Sequence, residues 1–117
     1  MIKKADQEII ELLVSMGLSK KAATTLTFLS HKEETDARQI ERNTELRQPE
    51  VSTAIKELYG WGWIEKRDIK GKGRGRPIHY YKLNIPLDTA IKTIVDGKKT
   101  EIEQIEVNIK RLKELTR

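Results

Sequence analysis

The sequence predicts a mainly helical α+β chain with one small β-hairpin and a C-terminal helix that stands apart from it. Three observations carry that prediction. Apolar residues recur every three or four positions through the first half of the chain, the period falls to two on both sides of residues 70–77, and helical spacing returns from Leu87 to the end. With 117 residues, 37% of them hydrophobic and only 5% aromatic, there is material for one core filled mainly by aliphatic side chains.

Ile9, Leu12, Leu13 and Met16 form the apolar face of a first helix, which Gly17 ends. Ser19 is placed to cap a second, whose inward positions are Ala22, Ala23, Leu26 and Leu29, and the polar run 31–34 closes it. Thr35 is expected to cap a short helix over 36–42, with Ala37 and Ile40 inward. A turn at Asn43-Thr44-Glu45 follows, and Leu46 returns to the core. The next helix is expected over 48–59. Pro49 suits its first turn, where a missing N–H loses no hydrogen bond; Val51, Ile55 and Leu58 face inward, and Gly60 and Gly62 stop it. Residues 63–69 alternate in polarity and 78–83 are rich in β-branched and aromatic residues, so the two stretches read as strands of a hairpin whose tip is 70–77. Asn84-Ile85-Pro86 breaks the chain. Helical spacing resumes at Leu87, Ile91, Ile94 and Val95, pauses at Gly97, and continues through Ile102, Ile105, Ile109 and Leu112.

The net charge of +5 is unevenly placed. Residues 61–86 carry seven positive and two negative side chains, while the rest of the chain is close to neutral. A local basic excess points to a polyanionic partner; the alternative, a device for solubility, needs no clustering. The absence of cysteine excludes disulfides, thiolate metal sites and cysteine nucleophiles. His31 and His79 have no neighbours at metal-ligand spacing, and no nucleophile–base set or acid–base pair is evident. Neither metal, cofactor nor enzymatic activity is therefore expected. No apolar run is long enough to span a membrane and the N-terminus has no apolar signal stretch, so the expectation is a cytoplasmic protein without a membrane partner.

Short helix, turn, helix and hairpin in this order outline a winged helix-turn-helix domain. The segment 35–83 resembles the MarR/ArsR/TrmB-like group of prokaryotic, here archaeal-looking, winged-helix transcriptional regulators. The resemblance centres on Leu46-Arg47-Gln48-Pro49-Glu50-Val51-Ser52-Thr53-Ala54-Ile55-Lys56-Glu57-Leu58. It continues through Trp61-Gly62-Trp63-Ile64-Glu65-Lys66-Arg67 and ends at Gly75-Arg76-Pro77-Ile78-His79-Tyr80-Tyr81-Lys82-Leu83, the usual second wing strand. It implies a DNA-binding domain over 1–85, a dimerisation segment over 86–117, and a recognition helix that enters the major groove.

The residues read the same way. With Val51, Ile55 and Leu58 inward, the other face of helix 48–59 holds Pro49, Ser52, Thr53 and Lys56, and Gln48 at its start can pair bidentately with adenine. Arg47 stands where the family usually has a small capping residue; it weakens the cap but suits a phosphate or a guanine. Glu50 and Glu57 need either a cytosine amino group or a turn away from DNA. The competing reading is an ordinary amphipathic surface helix.

In the hairpin tip, Lys70, Lys72, Arg74 and Arg76 alternate with glycines, which puts the cations on one side of a thin extended backbone. Such a loop fits a minor groove only about 6 Å wide, and Arg74-Gly75-Arg76-Pro77 resembles an AT-hook; tracking of phosphates without insertion competes with this. A nucleotide-phosphate cradle lacks both its spacing and its following helix. Trp61 and Trp63 are expected to seal the base of the wing, and His79 to face solvent or DNA.

Ile102, Ile105, Ile109 and Leu112 fall at a and d of a heptad, with Lys99, Glu106 and Lys113 at e and Glu101 at g. This stripe is in excess of what the first 85 residues need for a core. Ile91, Val95, Ile102, Ile105, Ile109 and Leu112 are therefore expected to build a homodimer, with folding back onto the domain as the alternative. Val107 and Leu115 widen the stripe towards more than one partner helix, the first helix of either chain included. The expected function is a dimeric, double-stranded-DNA-binding transcriptional regulator. A sequence-tolerant architectural chromatin protein and a winged-helix protein-interaction module are the alternatives. Nothing in the sequence signals a small-molecule effector, and that option stays open.

Overall fold

The computed structural model describes residues 3–69 and 78–117. In chain order the elements are α1 (Lys4–Ser15), α2 (Lys20–Leu29), β1 (Thr35–Asp36), α3 (Ala37–Thr44), α4 (Gln48–Trp61), β2 (Ile64–Ile69), β3 (Ile78–Leu83) and α5 (Leu87–Leu115). The architecture is mainly helical with a small antiparallel sheet and a long C-terminal helix.

α2 is the centre of the fold. Ser19 caps it, its hydroxyl accepting from the Ala22 N–H at 3.1 Å. Every residue from Ala22 to Leu29 is buried, which an amphipathic reading of four inward positions does not anticipate. α1, α3, α4 and β3 all pack around it. The small Ala22 and Ala23 let neighbouring backbones come close, while Leu26 and Leu29 fill the middle of the core with Ile40, Val51 and Leu58. The three threonines of this helix are buried as well. Thr27 satisfies its hydroxyl on the Ala23 carbonyl at 2.8 Å. The Thr25 hydroxyl finds no hydrogen-bond partner among the described residues.

α1 turns a different face inward than its apolar spacing indicates. Ile10 and Leu13 are buried, Ile9 and Met16 pack at the margin, and Leu12 is 58% exposed. The inward face also carries Asp6, which is nearly completely buried. Its carboxylate accepts from the Lys3 backbone N–H at 3.2 Å and pairs with His31 Nε2 at 2.9 Å, tying the start of α1 to the end of α2. The hydrogen bond with His31 outweighs desolvation and holds the Asp6 carboxyl below its ordinary value of 3.8.

The sheet has three strands in the order β1-β3-β2, all neighbours antiparallel. β2 and β3 form the expected hairpin, in register from Ile64 opposite Leu83 to Ile69 opposite Ile78. The unexpected strand is β1, where Thr35 lies opposite Tyr81 and Asp36 opposite Tyr80. Thr35 is therefore a strand residue. The cap of α3 is Asp36, whose carboxylate accepts from the Gln39 N–H at 2.9 Å. α4 likewise departs from expectation at its end: it runs through Gly60 to Trp61, and only Gly62, at φ +79°, turns the chain out of the helix. α5 does not pause at Gly97 but is one continuous helix of 29 residues. Its first turns give Ala90 and Ile94 to the core, with Leu87 and Ile91 packed beside them. Beyond Lys98 every residue is exposed, and the molecule is correspondingly long at 74 × 29 × 24 Å.

Two predictions follow from this core. Thr25→Val keeps the shape of the side chain and removes an unpartnered buried hydroxyl, so it should raise stability by about 1 kcal/mol; an unchanged or lowered urea midpoint would contradict the assignment. Asp6→Asn should cost about 1 kcal/mol at neutral pH. Because the folded-state pKa lies below the unfolded one, the stabilisation is complete above pH 3.8 and is lost as pH falls through the folded value. Urea titrations of wild type and Asp6→Asn should therefore converge in acid.

Candidate nucleic-acid interface

α3 and α4 are joined by a tight turn through Glu45, a left-handed residue at φ +62°. The turn is stitched from inside: the Thr44 hydroxyl donates to the Ile40 carbonyl at 2.5 Å and accepts from the Leu46 N–H at 3.3 Å. Ile40 of α3 and Val51 of α4 are both buried beneath it, which fixes the angle between the two helices.

α4 buries Val51, Ala54, Ile55 and Leu58 and leaves Gln48, Pro49, Ser52, Thr53 and Lys56 exposed on its other side, with Arg47 exposed at its N-cap. Its two carboxylates are both occupied elsewhere. Glu50 reaches back to accept from the Arg47 backbone N–H at 3.1 Å, a cap that Arg47 cannot make for itself. Glu57 accepts from the Ser19 hydroxyl at 2.8 Å and the Ser19 N–H at 3.4 Å, so it clamps α4 to the start of α2. Thr53 donates its hydroxyl to the Pro49 carbonyl at 2.9 Å, leaving a methyl group and an oxygen lone pair outward. The exposed face is thus free of carboxylates and built of small, apolar and donor groups, which matches what a base-pair edge accepts.

α3 adds two cations that the sequence reasoning missed. Arg38 and Arg42 are exposed and four residues apart, on one side of the helix before the turn. Their helical spacing was the available signal, but Asp36, Glu41 and Glu45 in the same stretch cancel them in any count of net charge.

On the wing strands the cations are largely paired. Arg67 donates from Nε to Glu34 at 3.1 Å and from a second nitrogen to the other oxygen, which pulls the Glu34 carboxyl below the usual range and raises the guanidinium. Lys82 lies 3.8 Å from Glu65, and His79 is exposed and pairs with Asp68. The basic surplus of 61–86 therefore rests with Lys66, exposed and without an ion pair among the described residues, and with Lys70, Lys72, Arg74 and Arg76, which lie outside the described residues. Trp63 is buried at the base of the wing as expected, but Trp61 is 44% exposed and stacks on it, ring centroids 4.6 Å apart. Among the described residues no cluster of three or more potential metal ligands exists, and no helix is long and apolar enough to cross a membrane.

Of the residues expected to pair protomers, Ile91 is half-buried against the chain's own core and Val95 is half-buried, while Ile102, Ile105, Ile109 and Leu112 are about half exposed or more.

The fold recurs in solved structures. TrmBL2, described as an archaeal chromatin protein, superposes with a TM-score of 0.66 at 20% identity, over 94% of this chain and 41% of its own. The chain thus spans less than half the length of that relative. A possible transcriptional regulator from Methanosarcina mazei Go1 superposes with a TM-score of 0.62 at 16% identity, covering 84% of this chain and 82% of the other. For a MarR family transcription regulator the TM-score is 0.54 at 19% identity, with 86% and 64% covered. No curated protein matches the sequence. At these identities the likeness speaks for the fold alone. The family profile of MarR proteins, by contrast, matches the sequence itself over residues 16–75, from the end of α1 past β2 but short of β3, just over half of the chain. This chain belongs to the MarR family of winged helix-turn-helix transcriptional regulators, which are not enzymes.

Proposed function

We propose that the protein regulates transcription by placing α4 in the major groove of double-stranded DNA as a homodimer. Arg47, Gln48, Pro49, Ser52, Thr53 and Lys56 make the approach to the bases. Lys70, Lys72, Arg74 and Arg76 hold the minor groove or its phosphates. Arg38 and Arg42 contact the backbone from α3, the helix that lies across it in this class of domain. The exposed stripe Ile102, Ile105, Ile109 and Leu112, continuing from Ile91 and Val95, joins the two protomers so that two copies of α4 read a two-fold related site. The observation that carries this reading is the withdrawal of Glu50 and Glu57 from the outer face of α4. The same bonds support helix termini, and they leave the outer face of α4 without negative charge, which is what a helix facing phosphates needs.

A binding-site selection on random DNA tests it. Enrichment of a near-palindromic sequence is the expected result; binding without enrichment would favour sequence-tolerant, architectural binding, and no binding at low salt would favour a protein-interaction module. On the selected site Gln48→Ala should cost about 1–3 kcal/mol, and less on random DNA. Equal losses on both would reduce Gln48 to a positioning contact.

The wing is separable by salt. Replacing Arg74 and Arg76 by alanine removes up to four phosphate contacts per dimer, and at roughly 0.9 per contact the slope of log affinity against log salt should flatten by up to about four. Lysine at both positions should keep the slope but lose preference for A·T-rich flanks, since lysine is a more strongly hydrated point charge than arginine. An unchanged slope in the alanine variant would remove the wing from the interface.

A further inference from the structure

We propose that the two α5 helices of the dimer run antiparallel, in the register that sets Ile102 against the partner's Ile105, and that the end of each helix seats in a cleft of the other protomer. This rests on the homodimer proposed above. The heptad of α5 places Val95, Ile102 and Ile109 at a and Ile91, Lys98, Ile105 and Leu112 at d. A parallel, in-register pair puts Lys98 across from the partner's Lys98 and brings Glu101 at g to the partner's Glu106 at e, twice over. Both meetings are between like charges.

The antiparallel register reverses this. Ile102 meets the partner's Ile105, Val95 meets the partner's Leu112, and Lys99 at e lies beside the partner's Glu106. Lys98 then faces the partner's Ile109 with its methylene stem. Its amino group is turned aside, bonded to Glu101 at 3.1 Å and lying over Gly17. The like-charge meeting that remains, Lys92 with the partner's Lys113, falls at the rim, and Lys92 is already held by Asp96 at 2.6 Å. Shifting the register by one heptad towards the C-termini instead sets Glu106 against the partner's Glu106 and Lys99 against the partner's Lys113.

The same register accounts for Leu115, which is 64% exposed and lies at g, outside the a/d stripe. Its counterpart across the seam is Ile94. Beside Ile94 the structure has a cleft of about 450 Å³ between the α1–α2 corner and the root of α5, lined by Met16, Leu18, Trp61, Gly97 and Glu101 among others. Mostly apolar and partly open to solvent, it has room for a leucine side chain. The exposed edge of Trp61 gains a cover there as well.

The chain has no cysteine of its own, so engineered thiols report without background. A disulfide needs Cα atoms roughly 4.4–6.8 Å apart. In the antiparallel register Val95→Cys and Leu112→Cys should crosslink only when the two variants are mixed, because identical thiols are about 25 Å apart at 1.5 Å per residue. Glu106→Lys should weaken the dimer about twofold to thirtyfold, weighing two exposed ion pairs, and Lys99→Glu in the same chain should restore it. Self-crosslinking of Leu112→Cys alone, or a tighter dimer from Glu106→Lys, would overturn the orientation while leaving the dimer intact. Sedimentation of the wild-type chain as a monomer at tens of micromolar, the same as an Ile105→Asp/Ile109→Asp control, would instead overturn the dimer itself.

Discussion

The structure depends on the burial of α2 on all sides. A helix with no solvent face has to be wrapped, and the wrapping decides where everything else goes. α1 lies on one side, α3 and α4 on another, β3 closes the remainder, and the alanines and threonines of α2 set how near each approaches. Two polar links tie its ends to neighbouring elements. Glu57 of α4 holds Ser19 at the N-terminal end, and Asp6 of α1 holds His31 just past the C-terminal end. The orientation of α4 is therefore not a local property of the α3–α4 turn. It is fixed by packing along α2 and by one carboxylate that reaches an N-cap from 38 residues away.

That carboxylate has a double effect. Glu57 adds acceptor capacity where α2 has orphan backbone donors and a positive end, and in doing so it leaves the outer face of α4. Glu50 does the same for α4's own first turn. Each acid supports a helix terminus, and the surface from which both are removed becomes compatible with a polyanion. The same two carboxylates thus support helix termini and leave that surface without negative charge.

Much of this was legible in the sequence because the periods are clean. The change from helical spacing to alternation at Trp63, and back at Leu87, located the wing and α5 correctly, and the inward set Val51, Ile55 and Leu58 was right. What escaped was whatever depends on distant partners. β1 is two residues long, too short to show a period, and exists because Tyr80 and Tyr81 present an unpaired strand edge. The inward face of α1 includes Asp6, which a search for apolar residues passes over, so the face was placed too near Leu12. Gly60 looked like a stop signal, yet Leu58 and the turn at Gly62 hold the helix through it. Arg38 and Arg42 were hidden by the acids around them, and the role of Glu57 could not be read without knowing that Ser19 would lie beside it.

The continuity of α5 has a mechanical consequence. At 1.5 Å per residue its 29 residues make a rod of about 43 Å. Its root is cemented into the core through Ala90 and Ile94, the core on which α4 also rests, and its outer half is exposed. Such a rod is a lever. Tilting its free end by about 5° moves that end by about 4 Å relative to the domain. In the homodimer proposed above, a small change of crossing angle between two such rods would swing the attached domains, and with them the distance between the two copies of α4, by a comparable amount. The spacing of the proposed two-fold DNA site would then be governed by an angle far from any base.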